Sequence, residues 1–293
     1  MKTKILDGKF LSKKIKKKIF LEIEKIKNKG NFPPHIAIIL VGNNKDSKIY
    51  VKNKINDCKK VGIKYSLFKK SNLILESKLI NLILKLNYDP YIDGLIIQFP
   101  LPKQINEKKI IIYIHPNKDI DGLHPINLGK IILNINTILP ATPLGILTLL
   151  KFYNINTLGK KTVILGRSII VGKPISILMG RKGLPGNSTV TLINSYTKNI
   201  INFTLNADII IIALGIPFFL KKNMINKGAI IIDVGINKIK NTYNKYKIVG
   251  DADFYNLYGK ASYLTPVPGG IGPLTRVMLL KNVLFIKKNN IFK

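Results

Sequence analysis

Apolar residues recur along this chain in two rhythms. Short continuous runs such as His35–Val41 and Gly94–Gln98 fit buried strands, and longer stretches between them repeat their apolar positions at helical spacing. In the first half the pattern predicts strands at His35–Val41, 63–68 and Gly94–Gln98. It predicts a helix capped by Asp46 or Ser47, running to about Val61 and stopping at Gly62, then helices at 73–86 and 106–113. Residues 115–125 read as a loop and 131–140 as irregular. Thr142-Pro143 opens an apolar helix to about Tyr153, with proline in the first turn. In the second half strands are expected at 162–165, 188–193, 209–213 and 229–234, with helices at Gly172–Gly180 and 199–206. A Pro/Gly-rich loop at 261–272 precedes a closing helix at 273–285. Strands alternating with helices imply parallel sheets. The reading is two α/β domains around a cleft, hinged at the 142–153 helix, with the crevice as the default ligand site.

Composition narrows the classes. The 293 residues are 46% hydrophobic, enough for a sizeable core, and the single cysteine, Cys58, excludes an intrachain disulfide and a thiolate metal cluster. A reducing, cytoplasmic setting fits. The longest apolar run, 209–220, is interrupted by Gly215 and Pro217 and is too short to span a bilayer. The lysine-rich amino terminus alternates Lys with Ile and Leu, so it reads as an amphipathic helix and not as a signal peptide. Net charge is +33, which raises nucleic-acid binding. Only three of the 48 basic residues are arginines, however, and the lysines are spread through every segment. A nucleic-acid binder would cluster its charge and use arginine on phosphates, so compositional bias is the preferred reading and no nucleic-acid or membrane partner is expected.

Several segments carry candidate chemistry. Ser47, Tyr50 and Lys54 share one helix face, and a lysine in a partly desolvated cleft can exchange protons near neutrality. By spacing alone an ordinary solvated lysine is the stronger reading. Gln98 closes an apolar strand and faces either the crevice or solvent. Asp119 and Asp121 flank a Gly/Pro loop without metal-type spacing to His115 or His124, so no metal is expected. At 162–174 a strand runs into Gly166, and Gly172 opens a helix six residues later. Such a loop lets backbone N–H groups approach a phosphate, although it departs from Gly-x-Gly-x-x-Gly. Arg167, in so arginine-poor a chain, suits a 2′-phosphate, and Ser195 follows the next strand, where the adenosine ribose is read. The segment 266–275 packs three glycines and three prolines into ten residues and is too rigid for a linker.

Together these segments resemble, colinearly over almost the whole chain, the bifunctional methylenetetrahydrofolate dehydrogenase/methenyltetrahydrofolate cyclohydrolase family. The blocks are Ser-Lys-Ile-Tyr-Val-Lys-Asn-Lys at 47–54, Gly-Leu-Ile-Ile-Gln-Phe-Pro-Leu-Pro at 94–102 and Lys-Asp-Ile-Asp-Gly-Leu-His-Pro at 118–125. They continue with Thr-Pro-Leu-Gly-Ile at 142–146, Gly-Arg-Ser-Ile-Ile-Val-Gly-Lys-Pro at 166–174, Ile-Asp-Val-Gly-Ile-Asn at 232–237 and Pro-Val-Pro-Gly-Gly-Ile-Gly-Pro at 266–273.

The resemblance implies an N-terminal folate-binding α/β domain over 1–141, completed by the helix 273–293. It implies a Rossmann-like NADP-binding domain with a parallel sheet over 142–272. It implies NADP-dependent oxidation of 5,10-methylenetetrahydrofolate to the methenyl cation, then hydrolysis to 10-formyltetrahydrofolate. Lys54 becomes the proton-transfer residue, assisted by Tyr50 and Gln98. Asp121 binds the pterin, with Ser47 and the loop residues Pro268, Gly269 and Gly270 on the substrate side. Gly166, Arg167, Ser168, Ser195 and Ile236 contact NADP. A homodimer joined through the cofactor domains and a soluble, cytoplasmic enzyme of one-carbon metabolism are implied as well. Two positions depart from the pattern: Asn194, where histidine is more usual, and Ile169, where a polar residue is common. Retention of Tyr50, Lys54, Gln98 and Asp121 argues against a relative that keeps only the dehydrogenase.

Overall fold

The structure, a computed structural model, describes residues 2–240 and 246–289. In chain order its strands are β1 (Lys4–Ile5), β2 (His35–Val41), β3 (Lys64–Lys70), β4 (Gly94–Gln98), β5 (Lys161–Leu165), β6 (Thr189–Ile193), β7 (Ile209–Ile212), β8 (Ile230–Asp233), β9 (Asn237–Lys240), β10 (Tyr246–Val249) and β11 (Tyr263–Leu264). Its α-helices are α1 (Gly8–Asn28), α2 (Lys45–Val61), α3 (Glu76–Tyr88), α4 (Glu107–Tyr113), α5 (Pro125–Ile132), α6 (Ala141–Phe152), α7 (Gly172–Gly180), α8 (Ile200–Leu205), α9 (Phe254–Leu257) and α10 (Ile271–Lys288). The chain divides into two compact units: residues 13–130, 135–141 and 276 onward, and residues up to 12, 131–134 and 142–275.

The first unit is built on a parallel sheet of order β3-β2-β4. β2 is central and buried on both faces, which is why it reads as a continuous apolar run. Ala37, Ile39, Leu95 and Ile97 form one core with Leu79, Ile83 and Leu86 of α3. Each of these leucines and isoleucines contributes about 1.5–3 kcal/mol by leaving water. Helix α2 starts at Lys45, earlier than expected. Asn44 is its cap, accepting the Ser47 N–H at 2.9 Å, so the cap falls to neither Asp46 nor Ser47. The helix ends on Gly62, whose φ of +79° allows its N–H to return to the carbonyls of Cys58 and Lys59. Helix α5 was not anticipated, although Pro125 at its start is a helix-opening signal.

The second unit holds a six-stranded, all-parallel sheet of order β1-β11-β8-β7-β5-β6. The four isoleucines of β7 are fully buried at its centre. The amino-terminal residues group with this sheet because Lys4 and Ile5 pair with Tyr263 and Leu264 of β11. The β9–β10 hairpin forms a separate antiparallel pair. The short strands β1, β9, β10 and β11 were not foreseen. The two-residue strands β1 and β11 and the four-residue strands β9 and β10 are too short to carry a clear periodic signal.

Candidate active site

In the first unit, β2 feeds α2, and β4 lies beside β2 with Leu40 opposite Gln98. This register brings the carboxyl end of β4 beside the helix that follows β2, where an open α/β sheet collects its functional groups. Lys54 Nζ donates to Gln98 Oε1 at 3.1 Å. The Gln98 amide is fixed from its other end, with Nε2 donating to the Phe99 carbonyl at 2.6 Å, so its oxygen is directed at the lysine. Gln98 is buried, with 9% of its surface exposed, and Lys54 is half-buried.

Burial pushes the Lys54 ammonium below its ordinary value, and the nearby Asp121 carboxylate partly opposes this. Burial likewise pushes the Asp121 carboxyl up, with Lys54 opposing. The two groups therefore share one desolvated region, each keeping the other closer to its charged form. Cys58, one turn after Lys54, has its thiol pushed up to about 12, chiefly by burial, so it is a poor nucleophile.

Asp119 has a different job. It is buried and accepts N–H bonds from Gly122 and His124 and from the Asn127 amide, which shapes the loop that presents Asp121. Burial raises its carboxyl to about 6. Tyr50 lies one turn before Lys54 and is 43% exposed, with no hydrogen bond to the lysine among the described residues. Ser47 is buried at the start of α2. The structure thus gathers Lys54, Gln98 and Asp121 and leaves the Tyr50 hydroxyl apart.

In the second unit the predicted cofactor residues stand at the carboxyl ends of adjacent parallel strands. Gly166 follows β5 and Ser195 follows β6, and the Gly166 N–H donates to the Ile193 carbonyl at 3.0 Å. The loop is glycine-dependent. A Cβ on Gly172 would lie 1.9 Å from the Gly166 carbonyl oxygen, and one on Gly166, at φ +110°, would lie 2.4 Å from that of Ala213. Ser168 Oγ accepts the N–H groups of Val171 and Gly172 at 3.2 and 3.4 Å, so it ties the turn to the start of α7. Arg167 and Ser195 are exposed. The Arg167 guanidinium lies 5.7 Å from the centre of the Tyr196 ring and pairs with no carboxylate among the described residues. A glycine cradle at a helix start beside an uncommitted guanidinium fits a phosphate-bearing nucleotide.

Ile236 is 48% exposed on the loop after β8. Pro268, Gly269 and Gly270 lie between β11 and α10, where the Gly269 carbonyl accepts the Lys9 N–H at 2.8 Å. The Gly270 carbonyl approaches so closely that Gly8 could carry no Cβ. Among the described residues no cluster of three His, Cys, Asp or Glu is placed to hold a metal ion, and no helix is long and apolar enough to cross a membrane.

Sequence reasoning missed one polar centre in this unit. Asp233 and Asp251 are buried side by side: the Asp251 N–H donates to Asp233 Oδ1 at 3.1 Å, and burial pushes the Asp233 carboxyl up to about 7. Its signal was a glycine within two residues of each aspartate, in Asp233-Val-Gly235 and Gly250-Asp251.

Residues 6–121 match the tetrahydrofolate dehydrogenase/cyclohydrolase catalytic domain, and residues 140–291 match the NAD(P)-binding domain of the same family. The bifunctional protein FolD of Flavobacterium psychrophilum is 51% identical over 286 residues, covering 97% of each chain. Among solved structures, the bifunctional FolD of Campylobacter jejuni superposes with a TM-score of 0.93 at 41% identity, covering 98% of this chain and 99% of that one. The Trypanosoma brucei methylenetetrahydrofolate dehydrogenase-cyclohydrolase, complexed with NADP and an inhibitor, superposes with a TM-score of 0.94 at 30% identity over the full length of both chains.

Proposed function

The chain belongs to the tetrahydrofolate dehydrogenase/cyclohydrolase family, and from that premise we propose that it oxidises 5,10-methylenetetrahydrofolate with NADP and hydrolyses the methenyl product to 10-formyltetrahydrofolate. The unit carrying Lys54 receives the folate, and the unit carrying the six-stranded sheet receives the dinucleotide. The observation that supports this reading most is the Lys54–Gln98 contact beside Asp121.

NADP, when bound, supplies the acceptor for a hydride from the one-carbon bridge. The chain's own residues hold its phosphates and ribose: the Gly166–Gly172 turn offers backbone N–H groups, and Arg167 with Ser195 selects the 2′-phosphate. The methenyl product is a cation and thus its own electrophile, so the hydrolytic step requires placement of water and movement of protons. A Lys54 amine with lowered basicity takes a proton as water adds, then returns it to the ring nitrogen as the C–N bond breaks and the five-membered ring opens; the hydroxyl proton of the adduct leaves to solvent as the formyl C=O forms, so one proton is released overall. Gln98 orients that amine, and Asp121 offers a carboxylate to the amino-substituted pterin. Ser47, Tyr50 and the Pro268–Gly269–Gly270 loop are assigned to the substrate side on family resemblance. A homodimer and a cytoplasmic setting belong to the same reading.

The direct test is spectrophotometric, using purified protein with methylenetetrahydrofolate and each cofactor. NADP reduction with passage through methenyl- to formyltetrahydrofolate is expected. Absence of NADP-dependent oxidation contradicts the assignment.

A further inference from the structure

We propose that Asp251, braced by Asn237, is a positioning residue for the cofactor: it sets the two loops that present Ile216 and Ile236. The proposal rests on the NADP-dependent reading above and adds residues that the site assignment does not use.

Asp251 is fully buried, and a carboxylate there is expensive unless every lone pair is engaged. Its Oδ2 accepts the N–H groups of Leu214 and Gly215 at 2.6 and 2.9 Å, both in the loop that follows β7. Its Oδ1 accepts from Asn237 Nδ2 at 2.8 Å, directly after the Ile236 loop that follows β8. One carboxylate therefore joins the two loops at the carboxyl ends of the two central strands. The neighbouring Asp233 supports it from below, accepting the N–H groups of Gly235, Asp251 and Ala252.

Local glycines make room for this arrangement. A Cβ on Gly235 would lie 2.2 Å from Asp251 Oδ1, and one on Gly250 would lie 1.9 Å from Asp233 Oδ2. Packing alone would be served as well by apolar side chains. What the carboxylate adds is direction: it fixes two backbone N–H groups in the loop after β7 and the Asn237 side-chain amide at the end of the loop after β8. Each loop carries an isoleucine with 48% of its surface exposed, Ile216 after β7 and Ile236 after β8. Two apolar side chains held at the cofactor end of a parallel sheet suit the flat, weakly polar nicotinamide better than the phosphates.

Asp251→Asn keeps the shape and an acceptor for Leu214 and Gly215 but turns an amide donor toward the donor of Asn237. The reciprocal exchange, Asn237→Asp with Asp251→Asn, restores a donor facing an acceptor. Asp251→Asn is expected to raise KM for NADP about tenfold with a smaller change in kcat, because a charge-assisted clamp is lost. The cyclohydrolase rate, which needs no NADP, is expected to stay at the wild-type value, while the Tm falls because a buried donor then faces a donor. The reciprocal exchange is expected to return KM most of the way. Should Asp251→Asn fail to fold, Asn237→Ala decides the matter, with an expected rise of about fivefold. A wild-type KM for NADP in the folded single variant, or a reciprocal exchange no better than Asp251→Asn, overturns the clamp. A wild-type enzyme without NADP-dependent oxidation overturns instead the reading beneath it.

Discussion

Lys54 is set apart by its surroundings. In a chain so rich in lysine, its spacing from Ser47 and Tyr50 is unremarkable. What distinguishes it is the Gln98 oxygen at 3.1 Å, the loss of water, and Asp121 nearby. None of these is local in sequence: Gln98 lies 44 positions away and becomes a neighbour only through the β2–β4 register. The motif blocks therefore made the site legible where spacing could not. Arg167 was legible in the opposite way, because arginine is so rare here. Replacing Arg167 with Ala is expected to raise KM for NADP by roughly ten- to a hundredfold, since a bidentate charge-assisted contact is worth about 1.5–3 kcal/mol. KM for NAD, which lacks the 2′-phosphate, should move little. Equal losses for the two cofactors would remove the 2′-phosphate role. The Asp233–Asp251 centre was not legible, since its partners are spread over the loops after β7, β8 and β10 and meet only in the folded unit.

At the scale of elements, the long buried strands and the helices with clear stops were readable. β2, β4 and α7 begin and end where the apolar runs and glycines place them. The turn between β5 and α7, proposed above to meet the cofactor phosphates, is constrained sterically. A Cβ on Gly172 meets the Gly166 carbonyl oxygen and, at 2.9 Å, the Arg167 Cα, both of them main-chain atoms. Gly172→Ala must spread the turn and is expected to cost about 1–3 kcal/mol of stability. Thermal unfolding followed together with NADP binding checks this: a lower Tm and weaker binding are expected, and a variant matching wild type in both would show that the turn is not tight. Two kinds of element that escaped the sequence are instructive. β1 and β11 are two-residue strands whose existence depends on a pairing between the chain's amino terminus and residue 263. Helix α5 was hidden because its proline read as loop punctuation, although proline also opens helices.

The whole molecule divides its chemistry between two compact units. Lys54, the group that could move protons, lies with Gln98 and Asp121 in the unit with the three-stranded sheet. The glycine turn, Arg167 and Ser195 lie in the unit with the six-stranded sheet. The net charge of +33 is spread too evenly to specify a partner, yet it favours capture of anionic ligands at low salt. The division implies that the two activities are separable, and this is the central claim. It is tested most directly by the Lys54→Met variant, with methenyltetrahydrofolate supplied as substrate and, in a parallel reaction, methylenetetrahydrofolate with NADP. The folded variant is expected to lose hydrolysis of the methenyl compound while still oxidising methylenetetrahydrofolate, so that the methenyl product accumulates. Hydrolysis at the wild-type rate by that variant would contradict it.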